Sequence, residues 1–413
     1  MLERFLNGEA PTSESDKKTI NYLYENYFIV ENDTEDVLLH KKCLERIPPS
    51  AISNVYVVVS ENCNFNCKYC FISDIVQKDF PSKMMSNETA KMAVALLQRT
   101  YERQKEKYDK TITFYGGEPL LNIGVIQFFM EEINQVKLSG NYWPSNVRYA
   151  IITNGSLITN EILNILKQYN IALSISYDID KIAQSKRVYK NNKDSFVAVR
   201  DNIELCRKRN HPFGLSITIS EETIENREYV INEIKRMEPV TVAFNLLIPN
   251  RFVTPPSSYY ERATDFMIEA FQELREVGIY EDRIMRKVHS FETGNLFLYD
   301  CCASGGNQFV INPTGEIGIC HGYLNDNKFF TSNVSDTGFD FRKNDNFLYW
   351  RNRTPLRMEQ CANCECIGIC GGGCPYAADY MYGSIYEVCE PYCIHAKKIL
   401  HWMIVDLYNH INQ

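Results

Sequence analysis

Short apolar runs alternate with longer amphipathic stretches through the middle of the chain, and the beat is regular. Runs at 55–59, 111–114, 148–152, 172–176, 214–219 and 241–247 are rich in Val, Ile, Leu and Phe and predict buried strands. Between them, 87–107, 124–138, 160–168 and 194–209 carry apolar residues at helical spacing. In the first of these, Met92, Ala93, Leu96, Leu97 and Thr100 mark one face. Strand–helix alternation of this kind predicts a parallel sheet with crossover helices. Six strands are too few to close a standard barrel, so the fold class expected is α/β, an open, partial (β/α)6 TIM-like barrel. Functional residues should then lie at the carboxyl ends of the strands.

The flanks read differently. Before the first strand, 15–27 predicts a helix, and 28–30 with 37–39 a hairpin-like pair. After the sixth, Pro249, Pro255 and Pro256 break the pattern, and 259–278 predicts a helical bridge. The organisation expected is an N-terminal segment at 1–50, a barrel at 51–250, a bridge at 251–294 and a cysteine-rich domain at 295–413.

Candidate chemistry sits at the strand ends. Cys63, Cys67 and Cys70, spaced C-x3-C-x2-C, follow the first strand, with Phe65 and Tyr69 interleaved. A 4Fe-4S cube normally takes four thiolates, so a loop offering three leaves one iron open to a ligand. Structural zinc would want four ligands, and no fourth Cys or His lies near this loop. This loop resembles that of the radical S-adenosylmethionine (SAM) enzymes. The resemblance implies that the open iron binds the amino and carboxylate groups of SAM, that one electron cleaves SAM, and that the resulting 5'-deoxyadenosyl radical takes a hydrogen atom from substrate. Further positions extend it. Tyr115-Gly116-Gly117-Glu118-Pro119 is similar to the family's Gly-Gly-Glu-Pro turn, which holds the SAM ammonium. Asn154, Ser174 and Ser176 end later strands on the same rim, and Arg187 matches a family arginine that pairs with the SAM carboxylate. One departure stands out: Ser176-Tyr177-Asp178-Ile179 lacks the glycine that many relatives carry in the last position.

A second cysteine field begins where the alternation stops, at Cys301, and so many thiols without a secretory signal argue for metal over disulfides. Cys302 precedes Gly315-x4-Cys320, and Cys361-x2-Cys364-x5-Cys370-x3-Cys374 leads to Cys393, with Gly371-Gly372-Gly373 bending the backbone. This resembles the iron–sulfur SPASM extension of peptide-maturing radical SAM enzymes, which carries two auxiliary clusters. Three 4Fe-4S clusters are therefore implied in all. The resemblance assigns Cys361, Cys364, Cys370 and Cys393 to the second auxiliary cluster, and Cys302, Cys320 and Cys374 to the first. The fourth ligand of the first is Cys301, Cys389 or an open position. Zinc is the alternative for Cys361, Cys364, Cys370 and Cys374. Cys43 and Cys206 read as small hydrophobes.

Composition sets limits. A chain of 413 residues with a net charge of -8 has no basic footprint for nucleic acid. No apolar run approaches the length of a membrane span, and the polar start, residues 1–18, has no secretory core. A cytoplasmic, reducing setting is expected. The first 50 residues are short for a complete leader-peptide-binding winged helix, so packing against the core is their expected role.

Within the SPASM group, formylglycine-forming sulfatase maturases use an aspartate just after the Gly-x4-Cys cysteine. Here Cys320 is followed by His321, a pairing that resembles ribosomal-peptide maturases that form thioether links. His321 is then the candidate catalytic base near neutral pH. The function expected is a peptide maturase acting on a precursor peptide, with an electron donor of flavodoxin or ferredoxin type. Formylglycine formation is the alternative, and a non-catalytic iron–sulfur electron carrier is another.

Overall fold

In the computed structural model, residues 8, 10–25, 29, 33–72, 83–104, 109–250, 253–291, 297–302 and 305–411 are described. The expected helix end at 105–107, the expected strand residues Phe28 and Val30, and 251–252 and 292–294 of the bridge lie outside them. The chain divides into two units, Met1–Pro49 and Ser50–Gln413.

The first unit holds α1 (Glu14–Glu25) and α2 (Asp33–Arg46). The hairpin expected here does not form, because Val37, Leu38 and Leu39 lie inside α2. A short apolar run fits strand or helix equally, and the Leu, Lys, Glu and Arg residues that surround this one favour helix.

The second unit is built on one sheet. Its strands are β1 (Asn54–Ser60), β3 (Lys110–Gly116), β4 (Val147–Thr153), β5 (Ile171–Ser176), β7 (Phe213–Thr218), β8 (Thr241–Asn245), β9 (Tyr280–Glu281), β10 (Gln308–Ile311), β11 (Glu316–Gly318) and β12 (Ser332–Asn333). A separate two-stranded ladder joins β2 (Phe65–Cys67) to β6 (Arg187–Tyr189). The order across the sheet is β12-β11-β10-β1-β3-β4-β5-β7-β8-β9. All six expected strands are present and run parallel as neighbours, with ends within two residues of expectation. Val55, Val57, Val58 and Val59 of β1 are buried, as a strand covered on both faces requires.

The sheet does not stop at β1. β10 pairs parallel on its free edge, with Val55 opposite Phe309 and Val57 opposite Ile311, and β11 and β12 continue antiparallel. Every residue of β10 is buried. The cysteine-rich region therefore starts as a continuation of the barrel sheet, and the boundary expected at residue 295 is not a break between compact units. Physically, a valine-rich edge strand is a pairing site, and β10 fills it.

Helices cover the sheet as the periodicity predicts. They are α3 (Asn87–Gln104), α4 (Ile123–Leu138), α5 (Asn160–Gln168), α6 (Phe196–Lys208), α7 (Arg227–Met237) and the bridge α8 (Ser257–Arg275). In α3 the buried stripe is Ala90, Ala93, Val94, Leu97 and Tyr101. Thr159 caps α5 by accepting a hydrogen bond from the Ile162 amide. A short helix, α9 (Asp282–Val288), follows β9, and α10 (Pro375–Tyr382) and α11 (Glu390–Ile411) close the chain. α8 is joined to α11 by a two-pronged pairing of the Arg275 guanidinium with Asp406, at 2.7 and 2.9 Å, and by Phe271 edge-on to Trp402 at 5.4 Å. Among the described residues, no helix is long and apolar enough to cross a membrane.

Candidate functional site

The loop carrying Cys63, Cys67 and Cys70 leaves the carboxyl end of β1 and is pinned twice. β2 pairs antiparallel with β6, setting Cys67 opposite Arg187 and Phe65 opposite Tyr189, and the buried Phe65 ring meets Tyr189 edge-on at 4.8 Å. On the other side, the Gly117 amide donates to the Ser60 carbonyl at 2.8 Å and the Glu118 amide to the Asn62 carbonyl at 2.7 Å. A Cβ on Gly116 (φ +143°) would stand 2.1 Å from the Ser60 carbonyl oxygen, and one on Gly117 2.4 Å from that of Asn62. Only glycine allows this approach, so the Gly-Gly pair presses its turn onto the thiol loop.

Glu118 lies behind the rim instead of on it. Its fully buried carboxylate accepts from Thr153 Oγ1 at 2.6 Å and from the amides of Asn154 and Leu120 at 2.8 and 3.0 Å, tying the end of β3 to that of β4. Burial raises its pKa, and these three donors pull the other way. Asn154 stands on the rim, with Nδ2 donating to Asn64 Oδ1 at 2.8 Å. Ser176 lines the cavity described below, as do Tyr115, Gly116 and Gly117, whereas Ser174 and Glu118 are not among its lining residues. Burial, then nearby Glu118 and Cys67, raise the Cys63 thiol; burial also raises Cys67, with Arg187 opposing it.

Arg187 and Tyr69 form a buried network with Asp178. The Tyr69 hydroxyl donates a short bond to Asp178, the Thr218 amide donates to Asp178 Oδ1 at 3.0 Å, and Arg187 Nη1 donates to the Tyr69 oxygen at 3.0 Å. Arg187 is 8% exposed and lines the cavity, and its Nε has no hydrogen-bond partner among the described residues. An unpaired guanidinium N–H at that depth is a donor prepared for an anion. Beside it, Ile179 takes φ +65°. The glycine missing from the motif is thus replaced by a β-branched residue that keeps a left-handed backbone at a cost of about 1–2 kcal/mol.

The second cysteine field gathers into two groups. Burial, then Cys302 and Cys374, push the Cys301 thiol up to about 12, and Cys320 is raised by burial, then by Cys374 and, more weakly, Cys302 and Cys301. Cys301 therefore stands with Cys302, Cys320 and Cys374. Cys389 is buried, its Sγ 3.8 Å from Met381 Sδ, though it also senses Cys374. Cys361, Cys364, Cys370 and Cys393 line one small pocket, together with Cys366 and Cys389. After burial, the largest influences on Cys393 are Cys370, Cys361 and Cys364. The glycine run bends as the sequence predicts: Gly371, Gly372 and Gly373 have φ of +67°, +80° and +70°. Arg353, fully buried, clamps that bend by donating to the carbonyls of Gly372 (2.6 Å), Gly373 (3.1 Å) and Ile385.

One cavity of about 460 Å³ joins the first thiol loop to the second field. Cys63, Cys67, Cys70 and Arg187 line one part of it, and Cys301, Cys302 and Cys374 another. His321 lines it too, its ring buried against Tyr56, Tyr115 and Phe71 at 4.8, 5.1 and 5.6 Å, with Nδ1 unpaired. Burial lowers its pKa to about 4, so the ring is a neutral and weak base, less suited to proton transfer near neutral pH than the sequence suggests. The sequence reading passed over Arg283, Arg286, Lys287 and Asp300, which also line this cavity. The signal was available in the spacing, since cations at i, i+3 and i+4 share one helix face.

The donor sets suit iron–sulfur clusters: soft thiolates on bent, glycine-rich loops, around a cavity with an unpaired buried arginine donor.

Comparison with known proteins matches residues 57–234 to the family model of the radical SAM superfamily. Relatives include the radical SAM cyclopropyl synthase TigE of Paramaledivibacter caminithermalis, 27% identical over 93% of this chain and 82% of that protein. An uncharacterized protein of Methanocaldococcus jannaschii, MJ0907, is 30% identical over 65% of this chain and 85% of its own length. The cysteine-type anaerobic sulfatase-maturating enzyme of Clostridium novyi is 26% identical, covering 78% of this chain and 88% of the enzyme. Among solved structures, native anSMEcpe with bound AdoMet and a Cp18Cys peptide has the same fold, with a TM-score of 0.71, 18% identity, and coverage of 87% of this chain and 98% of that one.

Proposed function

This chain belongs to the radical SAM superfamily, and from that premise we propose that it oxidises a side chain of a peptide or protein held in the cavity between its two thiol fields, closing a thioether or related crosslink. The observation that carries this reading is the continuity of the 460 Å³ cavity from Cys63, Cys67 and Cys70 to Cys301, Cys302 and Cys374. A carrier of electrons alone needs no chamber of that size, nor a buried arginine in its lining.

In this reading Cys63, Cys67 and Cys70 hold a 4Fe-4S cluster. Cys302, Cys320 and Cys374, with Cys301 as the fourth thiol, hold a second, and Cys361, Cys364, Cys370 and Cys393 a third. When bound, these groups and SAM supply one-electron chemistry, the reductive cleavage of SAM and removal of a substrate hydrogen atom. The chain's residues do the positioning. Arg187 offers its free Nε to the SAM carboxylate, with Tyr69 and Asp178 fixing the guanidinium. Tyr115, Gly116, Gly117, Asn154 and Ser176 shape the rim, while Glu118 holds that rim rigid from behind. The aromatic wall of Tyr56, Phe71 and Tyr115 around His321 keeps water from a reactive radical. A reductant of flavodoxin or ferredoxin type would supply electrons.

Formylglycine formation is the second reading. The Clostridium novyi relative and the likeness to anSMEcpe give it more comparative support than the thioether reading has. Against it stands His321, where the sulfatase-maturase resemblance calls for a carboxylate. Anaerobic co-expression with a cysteine-rich peptide encoded beside the gene, followed by mass spectrometry, separates the two. Loss of two hydrogens per event with every sulfur retained supports crosslinking, and exchange of a cysteine thiol for an aldehyde oxygen supports formylglycine. An unmodified peptide together with active SAM cleavage counts against both.

A further inference from the structure

The lining of the cavity is electrically lopsided. Among the described lining residues, Arg187, Arg283, Arg286 and Lys287 face a single carboxylate, Asp300. Arg187 comes from β6, which pairs with the thiol loop, and the other three cations come from α9, at the end nearer Cys301 and Cys302. Arg283 is held in place by donating to Asn245 Oδ1 at 2.6 Å and to Asp282 at 3.1 Å. Asn245, at the carboxyl end of β8, in turn donates to Ser216 Oγ at 3.0 Å, so the guanidinium is anchored on the sheet. Lys287, half-buried, has among the described residues a single long hydrogen bond of 3.4 Å, from Nζ to the Ile369 carbonyl. Arg286, more exposed, makes no hydrogen bond or ion pair among the described residues. Three cations on one face with so few partners repel one another, a cost that an incoming anion relieves.

We propose that Arg283, Arg286 and Lys287 form a carboxylate-binding subsite that anchors an acidic group of the peptide substrate, either a side chain or the C-terminal carboxylate, beside the second thiol field. This deepens the peptide-modifying reading and rests on it. The anchor would fix which part of the peptide reaches the first thiol loop, so the spacing between the acidic group and the reacting residue becomes a specificity rule. A competing role for these cations is to offset the charge of the neighbouring thiols, because Arg283 senses Cys302, Lys287 senses Cys370 and Cys301 senses Arg286. The two roles differ in what they demand of the substrate.

The test uses the anaerobically reconstituted full chain and cysteine-containing pentapeptides in four forms: free C-terminal carboxylate, C-terminal amide, and amides with an internal Glu or Gln. Calorimetry reads affinity, and iron analysis reads metal content. The expected result is about tenfold or tighter binding of a carboxylate-bearing peptide over its neutral counterpart. Arg286→Gln should abolish that preference at unchanged iron content, and Arg286→Lys should restore part of it. Whether the free terminus or the Glu peptide gains identifies the source of the carboxylate. Equal binding of acidic and neutral peptides overturns the subsite and leaves the peptide reading standing. So does a drop in iron content with equal weakening of every peptide. Binding of no peptide overturns both.

Discussion

Replacing Arg353 by Met removes a guanidinium that is 0% exposed and that links the glycine bend to the turn at Ile385. The carbonyls of Gly372, Gly373 and Ile385 all lose their donor. Each buried carbonyl left unsatisfied costs about 1–3 kcal/mol. Part of that loss is offset, because the variant no longer buries a charge. The net destabilisation should be about 3–5 kcal/mol, a large share of the ~5–15 kcal/mol typical of a folded domain. The effect should also be local at first. Gly371, Gly372 and Gly373 carry the chain between Cys370 and Cys374, one thiol from each auxiliary group, and Arg353 senses Cys301, Cys374, Cys370 and Cys361 together. Anaerobic guanidinium unfolding followed by circular dichroism measures the first effect. Iron per chain, compared with a Cys63→Ala/Cys67→Ala/Cys70→Ala variant, measures the second. Arg353→Met should lose auxiliary iron while retaining that of the Cys63 loop. A loss of stability under about 1 kcal/mol with full iron content would refute the reasoning.

Three further outcomes follow from the geometry. Glu281, 1% exposed and accepting from the amides of Arg283 and Ile284, is raised from 4.5 to about 7, chiefly by burial. The fold therefore retains a proton that the unfolded chain releases, so this group's contribution to stability should fall as pH rises from about 4.5 to about 7, by on the order of 3 kcal/mol. Arg283 beside it works against the shift and Asp282 adds to it, and Glu281→Gln should flatten the slope in denaturant titrations run across that range. Gly116→Ala, which drives a Cβ to 2.1 Å from the Ser60 carbonyl oxygen, should cost about 2–4 kcal/mol and detach the turn from the thiol loop, read as lowered thermal stability and lost SAM binding. Arg187→Lys cannot reproduce both the bond to Tyr69 and the free Nε, so SAM should bind about tenfold more weakly by calorimetry with iron content unchanged; unaltered affinity would remove Arg187 from the cofactor site.

The barrel was legible because its parallel strands bury at least every second residue and its crossover helices one stripe, which writes two distinct periods into the sequence. Elements that lean on distant partners were not. β2 and β6 are three residues each and carry no apolar period; they exist because Cys67 meets Arg187 across the ladder. β10 lies inside the cysteine field and is four residues long, Gln308–Ile311, too short a run to mark a strand by its period. At the site, the thiols were marked by their spacing, and the Gly-Gly turn and Arg187 by the resemblance; the structure sets all of them along one cavity. The inward turn of Glu118 was not, because a carboxylate satisfied by Thr153 and the Asn154 amide looks the same in sequence as one that faces a ligand. Arg353 was missed for the same reason, since a lone arginine reads as surface until its partners are known, whereas the cations of α9 carried a signal in their shared helix face.

The central claim is that Cys63, Cys67 and Cys70 hold a cluster that splits SAM beside a peptide-sized chamber. Its most direct measurement is the yield of 5'-deoxyadenosine when the anaerobically reconstituted protein is reduced with dithionite in the presence of SAM. Formation of the nucleoside by the native chain and its loss in Cys63→Ala would agree with the account. Intact SAM under reduction, in protein shown to carry iron at all three cysteines, would contradict it.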